Sequence, residues 1–316
     1  MKKIGVIVLS LILALSMATG AFAAFTDMPS GADGEVLQKA VDNGLIAGFD
    51  DGSIQPATPI TRAQMATIMS RAMNAEKKAD ISSFVDVKEG DWYYDAMAKA
   101  VYMDAFKGDT NSCLNPNNTI TRQEAFIVLC RIFDIQDIDK NALDKYSDKD
   151  NVAAWAQKEA RSIAAAGYLG DITELRPLDA MTRLEFAQIM DRIVDAYIDE
   201  DGEYTTLPAG NVLVRAKKVS FKGVNSDKII YLGDGISEIV NFTDCVCEKI
   251  VIRGEQVSIN SGTYASIRGI GMGTKIYLNK NPLELVKKYA DGTTGRFYAE
   301  RGKAVFIPLV QNVEIK

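Results

Sequence analysis

The sequence has 316 residues, of which 47% are hydrophobic and 25% are charged. This composition is typical of a folded soluble protein and excludes a disordered or collagen-like chain. There is no histidine, which excludes His-dependent serine or cysteine catalysis and every His-ligated metal site. The length predicts about two domains.

The N-terminus carries the pattern of an export signal. Lys2 and Lys3 precede an apolar run from Ile4 to Met17, and Ala21-Phe22-Ala23 follows. A basic start, a short apolar core and an A-x-A end predict a secretory signal peptide over residues 1–23. The run is too short to span a bilayer comfortably, so we expect an exported mature chain that does not cross the membrane.

Charge is unevenly distributed along the chain. Residues 24–200 carry 30 acidic and 18 basic side chains, whereas residues 201–316 carry 12 and 16. The shift predicts a domain boundary near residue 200. The acidic first part does not attract nucleic acid by its overall field, so no nucleic-acid partner is expected, and an anionic ligand would need local cations.

Little in the sequence points to redox or metal chemistry. Cys113, Cys130, Cys245 and Cys247 are too few for a disulfide scaffold. Buried thiols are favoured, with a Cys113–Cys130 bond as the alternative. Residues 137–141 begin like a calcium loop but lack its later glycine and glutamate, so no metal and no cofactor are expected.

The dominant feature is a repeat of about 60 residues. Three segments open with an aromatic residue, any residue and Asp, at Phe25, Phe84 and Tyr146. In each, a proline later precedes a Thr-Arg pair by five residues: Pro56 with Thr61-Arg62, Pro116 with Thr121-Arg122, and Pro177 with Thr182-Arg183. The pattern predicts three copies, at residues 24–80, 81–143 and 144–200.

Each copy reads as two helices joined by a turn. The first helix is predicted over Val36–Asn43, Trp92–Met103 and Val152–Ala166 in the three copies. A glycine turn follows, at Gly48, Gly108 and Gly170. The proline and the second helix come next.

The second helix has a defined start and one buried face. The threonine and the residue three positions on form a capping box in Thr61/Gln64, Thr121/Glu124 and Thr182/Glu185. Apolar residues then fall at +4, +7, +8 and +11, which is one helical stripe. Because one copy is too small to bury its stripe alone, we expect the three stripes to meet in a shared core.

The residue after each capping threonine is unexpected. Arg62, Arg122 and Arg183 occupy the first helical position, where the helix dipole disfavours a cation by roughly 0.3–1 kcal/mol. A cation beside unpaired backbone N–H groups forms an anion receptor. The alternative is a surface arginine that packs over its neighbours or pairs with a nearby Asp.

Two other recurrent residue types leave alternatives open. Asp27, Asp86 and Asp148 are expected to brace the loop before the first helix, with ligand contact as the alternative. Trp92 and Trp155 hold matching positions in copies two and three. They are read either as core residues or as platforms on which a sugar stacks.

These motifs resemble three tandem S-layer homology (SLH) domains over residues 25–198. The segment Ile60–Gln64 looks like the family's I-T-R-A-E motif, and Ile120–Glu124 and Met181–Glu185 match it in the other copies. Copy one departs from the pattern because it has Gln64 for Glu and lacks the Trp. Copy two has Asp104 where a Gly is usual.

The resemblance implies an all-α pseudo-trimer of three helical repeats around a central three-helix bundle. It implies that the grooves between copies bind a secondary cell wall polysaccharide, attached to peptidoglycan and often capped by a pyruvyl ketal with a carboxylate. The motif arginine is then the carboxylate partner. The predicted binding residues are Arg62, Arg122, Arg183, Gln64, Glu124, Glu185, Asp27, Asp86, Asp148, Trp92, Trp155, Gly48, Gly108 and Gly170.

The C-terminal part has a different pattern. Residues 201–207 read as a polar linker, and residues 208–316 as a small all-β domain of short β-rich runs separated by Gly, Asn and Asp. Runs such as Lys249–Gly254 and Val257–Asn260 favour a parallel β-solenoid, with a β-sandwich as the alternative. One short helix is predicted over Leu283–Ala290.

The sequence therefore predicts a secreted protein of the cell surface or S-layer, held on the cell wall without a covalent bond. Its β region would be a structural or interaction module, with other surface-layer proteins as further partners. No nucleophile elbow, phosphate loop or metal cluster is present in the sequence, so catalysis is not expected. The alternatives are an SLH-anchored enzyme that acts on glycans through the β domain, and a free carbohydrate-binding protein.

Overall fold

The computed structural model describes residues 25–136, 139–272, 274–278, 284–288, 294–297 and 304–305. The predicted signal peptide lies outside these residues. No helix in the described part of the chain is long and apolar enough to cross a membrane.

Within residues 25–193, apart from the undescribed 137–138, six α-helices follow one another. They are α1 (Ala32–Asp42), α2 (Arg62–Ala72), α3 (Tyr94–Tyr102), α4 (Arg122–Phe133), α5 (Gln157–Ala165) and α6 (Arg183–Ile193). Each copy supplies two of them, as predicted. In copy three, α5 begins at Gln157, five residues later than predicted, because a 3-10 turn at Ala154–Ala156 occupies the start of the predicted helix; another 3-10 turn, at Lys149–Asn151, precedes it.

The second helices begin where the capping boxes predict. In α2, α4 and α6 the threonine side chain accepts a hydrogen bond from the N–H three residues on, and the side chain of that residue accepts one from the threonine N–H. Two of the backbone donors left open by each helix start are satisfied in this way.

The second helix of each copy packs on the first helix of another copy. Helix α2 packs on α3, α4 on α5, and α6 on α1. All twelve residues of the predicted stripes are buried in one cluster: Met65, Ile68, Met69, Ala72, Ala125, Val128, Leu129, Ile132, Phe186, Ile189, Met190 and Ile193. The shared core is confirmed, and it is built by exchange of helices between copies.

A ring of backbone hydrogen bonds joins the three copies just before their second helices. The Ile60 N–H donates to Met181 O over 2.9 Å, Ile120 N–H to Ile60 O over 3.0 Å, and Met181 N–H to Ile120 O over 2.9 Å. Each copy thus donates to one neighbour and accepts from the other, and the ring closes.

The C-terminal part forms two sheets. The strands are β1 (Ala196–Ile198), β2 (Gly202–Tyr204), β3 (Val212–Val214), β4 (Val219–Lys222), β5 (Asn225–Leu232), β6 (Val240–Thr243), β7 (Cys245–Ile252), β8 (Gln256–Ile259), β9 (Gly262–Gly269), β10 (Lys275–Leu278), β11 (Glu284–Lys288), β12 (Thr294–Phe297) and β13 (Ala304–Val305). Odd strands β1 to β11 pair in parallel in one sheet, and even strands β2 to β10 in the other. Only β12 and β13 add antiparallel edges.

This arrangement is a β-solenoid, so the alternative of a β-sandwich is wrong. From β1 to β11, successive strands alternate between the two sheets, and each strand in a sheet lies parallel to the one two places before it in the chain. A sandwich would pair antiparallel neighbours.

Two predictions about segment type are also wrong. The segment predicted as a linker contains β2, which pairs with β4, so the solenoid begins at β1 inside the segment assigned to copy three. The helix predicted at Leu283–Ala290 is strand β11 in its described part, because pairing with β9 and β12 satisfies its backbone. Tertiary pairing overrides local helix propensity there.

One sheet of the solenoid is buried on both faces. Val212 and Val214 point into the solenoid core, whereas Leu213 between them joins the core of the helices. Tyr231 lies with Leu213 in that helical core and meets the Phe133 ring edge-on at 5.2 Å. A strand covered on both sides reads as a continuous apolar run, as Val212–Val214 does. The helices and the solenoid therefore share a core.

The cysteines are free thiols. Cys130, Cys245 and Cys247 are buried and Cys113 is half-buried, so the alternative of a Cys113–Cys130 bond is wrong. Burial raises the pKa of Cys247 to about 12, which keeps this thiol protonated and unreactive.

Candidate ligand-binding site between the copies

The three motif arginines lie at the junctions between copies, and each reaches into the next copy. Their Nε atoms donate to backbone carbonyls there: Arg62 to Leu114 O over 2.8 Å, Arg122 to Leu175 O over 2.6 Å, and Arg183 to Ile54 O over 2.7 Å. The position that looked unfavourable within one helix is thus a contact position between two copies.

The backbone donors at these helix starts are occupied. The N–H groups of the three arginines donate to Asn118 O over 2.9 Å, Asp179 O over 2.8 Å and Thr58 O over 3.1 Å, in chain order. The next N–H in each helix donates to the carbonyl of Pro116, Pro177 or Pro56. The sequence predicts that these donors are unpaired, but carbonyl groups of the next copy's proline turn accept their hydrogen bonds. An anion at these junctions must therefore meet the side chains.

Two of the arginines form ion pairs across the junction. Nη1 of Arg62 lies 3.1 Å from Oε1 of Glu124, and Nη1 of Arg122 lies 2.8 Å from Oε1 of Glu185. Burial lowers the pKa of both guanidinium groups, and the facing carboxylates oppose that shift. These two arginines are ion-paired, but not as the alternative described: each partner is a Glu of the next copy and not a nearby Asp, and Arg122 is buried and not at the surface.

Arg183 has different surroundings. Its Nη2 donates to Ala47 O over 2.5 Å, and its guanidinium carbon lies 4.9 Å from the centre of the Phe49 ring. Among the described residues, no carboxylate oxygen lies within 4.0 Å of its side-chain nitrogens. The residue matching Glu124 and Glu185 is Gln64, which carries no charge.

The opening aspartates brace a turn. The Asp27 carboxylate accepts from Ile54 N–H over 2.6 Å and from Gln55 N–H over 2.9 Å. Asp86 and Asp148 make the same pair of contacts in their copies, to residues 114–115 and 175–176. The aspartates do brace a loop, but it is the turn before the second helix and not the loop before the first, so the predicted location is wrong. A ligand role for these aspartates stays a prediction.

The turn glycines have packing reasons of their own. A Cβ at Gly48 would lie 2.1 Å from the Phe25 ring, and one at Gly108 would lie 2.2 Å from the Phe84 ring. In copies one and two the opening aromatic therefore packs on the turn glycine. Gly170 instead adopts a positive φ of 68°, which favours glycine.

The two tryptophans lie at the surface. Trp92 is 67% exposed and Trp155 is 59% exposed, so the alternative of core residues is wrong. A large exposed indole is unusual in a soluble protein unless a partner covers it. The exposure favours the other alternative, a stacking platform for a sugar.

At two junctions the structure brings together an arginine, the capping glutamate of the next copy and that copy's turn, and at the third Arg183 contacts the turn of copy one. Sequence reasoning missed Arg176, which pairs with Glu185, and the Phe49 ring beside Arg183. No local spacing rule indicated the first, because Arg176 and Glu185 are nine residues apart and lie on different elements. No signal in the sequence pointed to the carbonyl acceptors, because any residue supplies a carbonyl.

Comparison of the sequence with known protein families finds a match in two of the three copies. The S-layer homology domain matches residues 24–66 and residues 83–126. Two segments of this chain therefore match the SLH domain. They cover the opening aspartates, the turns and the arginine motifs of copies one and two.

The relatives include proteins named for the surface layer or the cell wall and an exoglucanase. The chain is 33% identical over 171 residues to a surface-layer 125 kDa protein of Lysinibacillus sphaericus, covering 52% of this chain and 14% of that protein. It is 26% identical over 317 aligned positions to the middle cell wall protein of Brevibacillus brevis, covering 93% and 29%. It is 25% identical over 171 residues to exoglucanase XynX of Acetivibrio thermocellus, covering 52% and 16%.

The chain spans less than a third of the length of each of these relatives. The SLH domains and the surface-layer and cell-wall relatives support a secreted protein located at the cell surface or in the cell wall.

Proposed function

We propose that residues 144–200 form a third SLH domain and that the three copies form a pseudo-trimer. Helix α6 begins with the same capping box as α2 and α4. Met181 is also one of the three residues that close the hydrogen-bond ring. Because copy three supplies one of the three hydrogen bonds that close the ring, it takes the same place in the structure as the other two copies.

We propose that this trimeric module holds the protein on the cell wall by binding a secondary cell wall polysaccharide that carries pyruvyl carboxylates. The observation that carries the proposal is the exposure of Trp92 and Trp155 on a module whose junctions hold guanidinium groups. An indole face suits a sugar ring, and a guanidinium suits a carboxylate. Several such sites on one polymer would raise retention through effective concentration.

The solenoid is proposed as a structural or interaction module without catalytic activity, with other surface-layer proteins as its partners. It is packed on the helices through Leu213, Tyr231 and Val251. It therefore stands in a fixed position on the anchor. The alignment with a cell wall protein over 93% of the chain includes both parts, which favours a common surface role for them.

Co-sedimentation with isolated cell walls tests the anchoring proposal. The mature chain, residues 24–316, is used whole because the helices and the solenoid share a core. Wild type should sediment with walls that carry the pyruvylated polymer and stay in solution once the polymer is stripped. Sedimentation that persists after stripping would show that peptidoglycan or another component is the ligand.

The exoglucanase relative favours a second candidate, an SLH-anchored enzyme that acts on glycans through the β domain. Incubating the mature chain with wall polysaccharide and measuring released reducing ends separates the two. Release above that of a heat-denatured control would establish the enzyme.

A further inference from the structure

The three junctions differ in one residue that controls their charge. In copies two and three, one oxygen of the capping glutamate accepts the capping hydrogen bond and the other faces an arginine. Oε2 of Glu124 accepts from Thr121 N–H over 2.8 Å, and Oε1 faces Arg62. Oε2 of Glu185 likewise caps its helix, and Oε1 faces Arg122.

Copy one lacks the second of these contacts. Oε1 of Gln64 accepts from Thr61 N–H over 2.8 Å and so completes the capping box. What remains of the Gln64 side chain is an NH₂ group, which is a donor and carries no charge. It cannot neutralise Arg183, the guanidinium that reaches copy one from copy three.

The wider surroundings reinforce this difference. Besides Glu124, the charges of Asp109 and Asp86 act on Arg62. At the position of Asp109, copy one has the Phe49 ring. Among the described residues, Asp27 carries the one carboxylate whose negative charge raises the pKa of the Arg183 guanidinium. Both oxygens of Asp27 already accept backbone hydrogen bonds.

Arg183 is therefore a buried cation without an adjacent counter-charge. Its residue is 7% exposed, and a charge removed from water is unfavourable unless it is paired. The exposed residues next to it are Ala47 and Phe49, whose ring is 37% exposed. A carboxylate supplied from outside would neutralise the guanidinium, while the body of a sugar could cover the ring.

We propose that the junction between copies three and one, formed by Arg183, Gln64 and Phe49, is the one that receives the carboxylate of the wall polymer. Gln64 selects it, because a glutamine completes the helix cap but leaves the arginine unpaired. The junctions at Arg62 and Arg122 are neutralised from within. The assignment rests on the proposed anchoring function and specifies which of its three junctions binds the anion.

The variant Gln64→Glu tests this assignment. It keeps the shape of the side chain and the capping oxygen, and it places the second oxygen opposite Arg183, as in the other two copies. We expect binding of the mature chain to the purified pyruvylated polysaccharide to weaken by about tenfold or more, because the internal carboxylate takes the place of the ligand's.

Gln38→Glu is the control for charge. Gln38 lies on α1 in the same copy, and its amide donates a hydrogen bond to Asp42 at the surface. The variant adds the same single negative charge to copy one. It should bind within about twofold of wild type, because the charge lies outside the junction.

Melting temperature gives an independent readout on the same proteins. Free Gln64→Glu protein should melt higher than wild type, because the new ion pair compensates the buried guanidinium. Its melting temperature should rise less than that of wild type when the polysaccharide is added.

The outcomes separate the two proposals. If wild type fails to bind the polysaccharide, the anchoring function is wrong. If wild type binds and Gln64→Glu binds equally well with an unchanged thermal shift, anchoring stands and the assignment to Arg183 is overturned. Equal loss in Gln64→Glu and Gln38→Glu would also overturn the assignment, since it would show a general charge effect.

Discussion

Nη1 of Arg122 donates to Oε1 of Glu185 over 2.8 Å, across the junction of the second and third copies. Both side chains are largely buried, and Glu185 also caps its own helix. The same glutamate therefore fixes the start of α6 and its position against the preceding copy. An arginine that sequence reasoning assigned to a ligand is, at this junction, first a contact between repeats.

Glu185→Gln should lower the free energy of unfolding by about 2 kcal/mol. The glutamine can still accept the Thr182 N–H hydrogen bond but cannot pair with the buried Arg122. Urea unfolding of the mature chain measures the change. Asp179→Asn is the control, because that carboxylate lies 3.9 Å from the half-exposed Arg176 and should matter little. Equal stability of Glu185→Gln and wild type would contradict the role of the pair.

The same variant has a defined pH dependence. Burial alone would raise the pKa of Glu185, but the Thr182 N–H and the charges of Arg122 and Arg176 outweigh it, and the pKa lies below the usual 4.5. A lowered folded pKa stabilises the fold above that value, and the contribution is lost as the pH falls. The deficit of Glu185→Gln should shrink when unfolding is measured below pH 4.5. A constant deficit would exclude the carboxylate as its origin.

Thr121→Ala should destabilise the protein by about 1 kcal/mol, because it removes the acceptor of the Glu124 N–H hydrogen bond at the start of α4. Thr119→Ala, two residues earlier, changes an exposed side chain. It should leave the free energy of unfolding within about 0.5 kcal/mol of wild type. An equal loss of unfolding free energy in both variants would mean that stability depends on the turn as a whole and not on the capping hydrogen bond of Thr121.

Arg253→Met should destabilise the chain by about 3 kcal/mol. The Arg253 side chain lies between the solenoid and the helices, where it pairs with Asp234 and donates to Met103 O over 2.7 Å at the end of α3. Lys218→Met, which breaks an exposed pair with Glu238, is the control and should change stability little. Similar effects of the two variants would contradict a shared core.

This loss should also depend on pH. Burial raises the pKa of Asp234 above the usual 3.8, and Arg253 pulls it down. Without Arg253 the folded pKa rises further. A raised folded pKa gives stability at low pH that is lost as the pH rises. Arg253→Met should therefore differ from wild type less at about pH 5 than at about pH 7.

Trp92→Ala and Trp155→Ala should leave stability nearly unchanged and weaken wall binding. Exposed side chains contribute little to the core, whereas a stacking surface lost from the site removes contact with the sugar. Unfolding and co-sedimentation on the same protein separate the effects. Normal sedimentation of the double variant would remove the tryptophans from the site.

The repeated parts of the structure could be predicted because their signals are local. The capping boxes at Thr61, Thr121 and Thr182 and the apolar stripes depend on residues within one helix, so spacing alone locates them. A parallel β-solenoid was favoured from runs such as Lys249–Gly254.

Contacts between copies could not be predicted in the same way. The donors at the helix starts are filled by carbonyls about 55 residues away in the next copy or, for Arg183, in the first, and sequence carries no mark of them. The strand at Glu284–Lys288 was predicted as a helix for the same reason, since pairing with β9 determines its form. The sequence shows that Gln64 replaces the usual Glu. Its consequence for Arg183 could be inferred only from the structure of the junction between copies three and one.

Anchoring through the polymer's carboxylate is tested most directly by the dissociation constant of the mature chain for purified wall polysaccharide, measured by calorimetry before and after the pyruvyl ketals are removed by mild acid. Removal should weaken binding by about tenfold or more, because the guanidinium loses its carboxylate. An unchanged dissociation constant would show that the protein does not recognise the carboxylate.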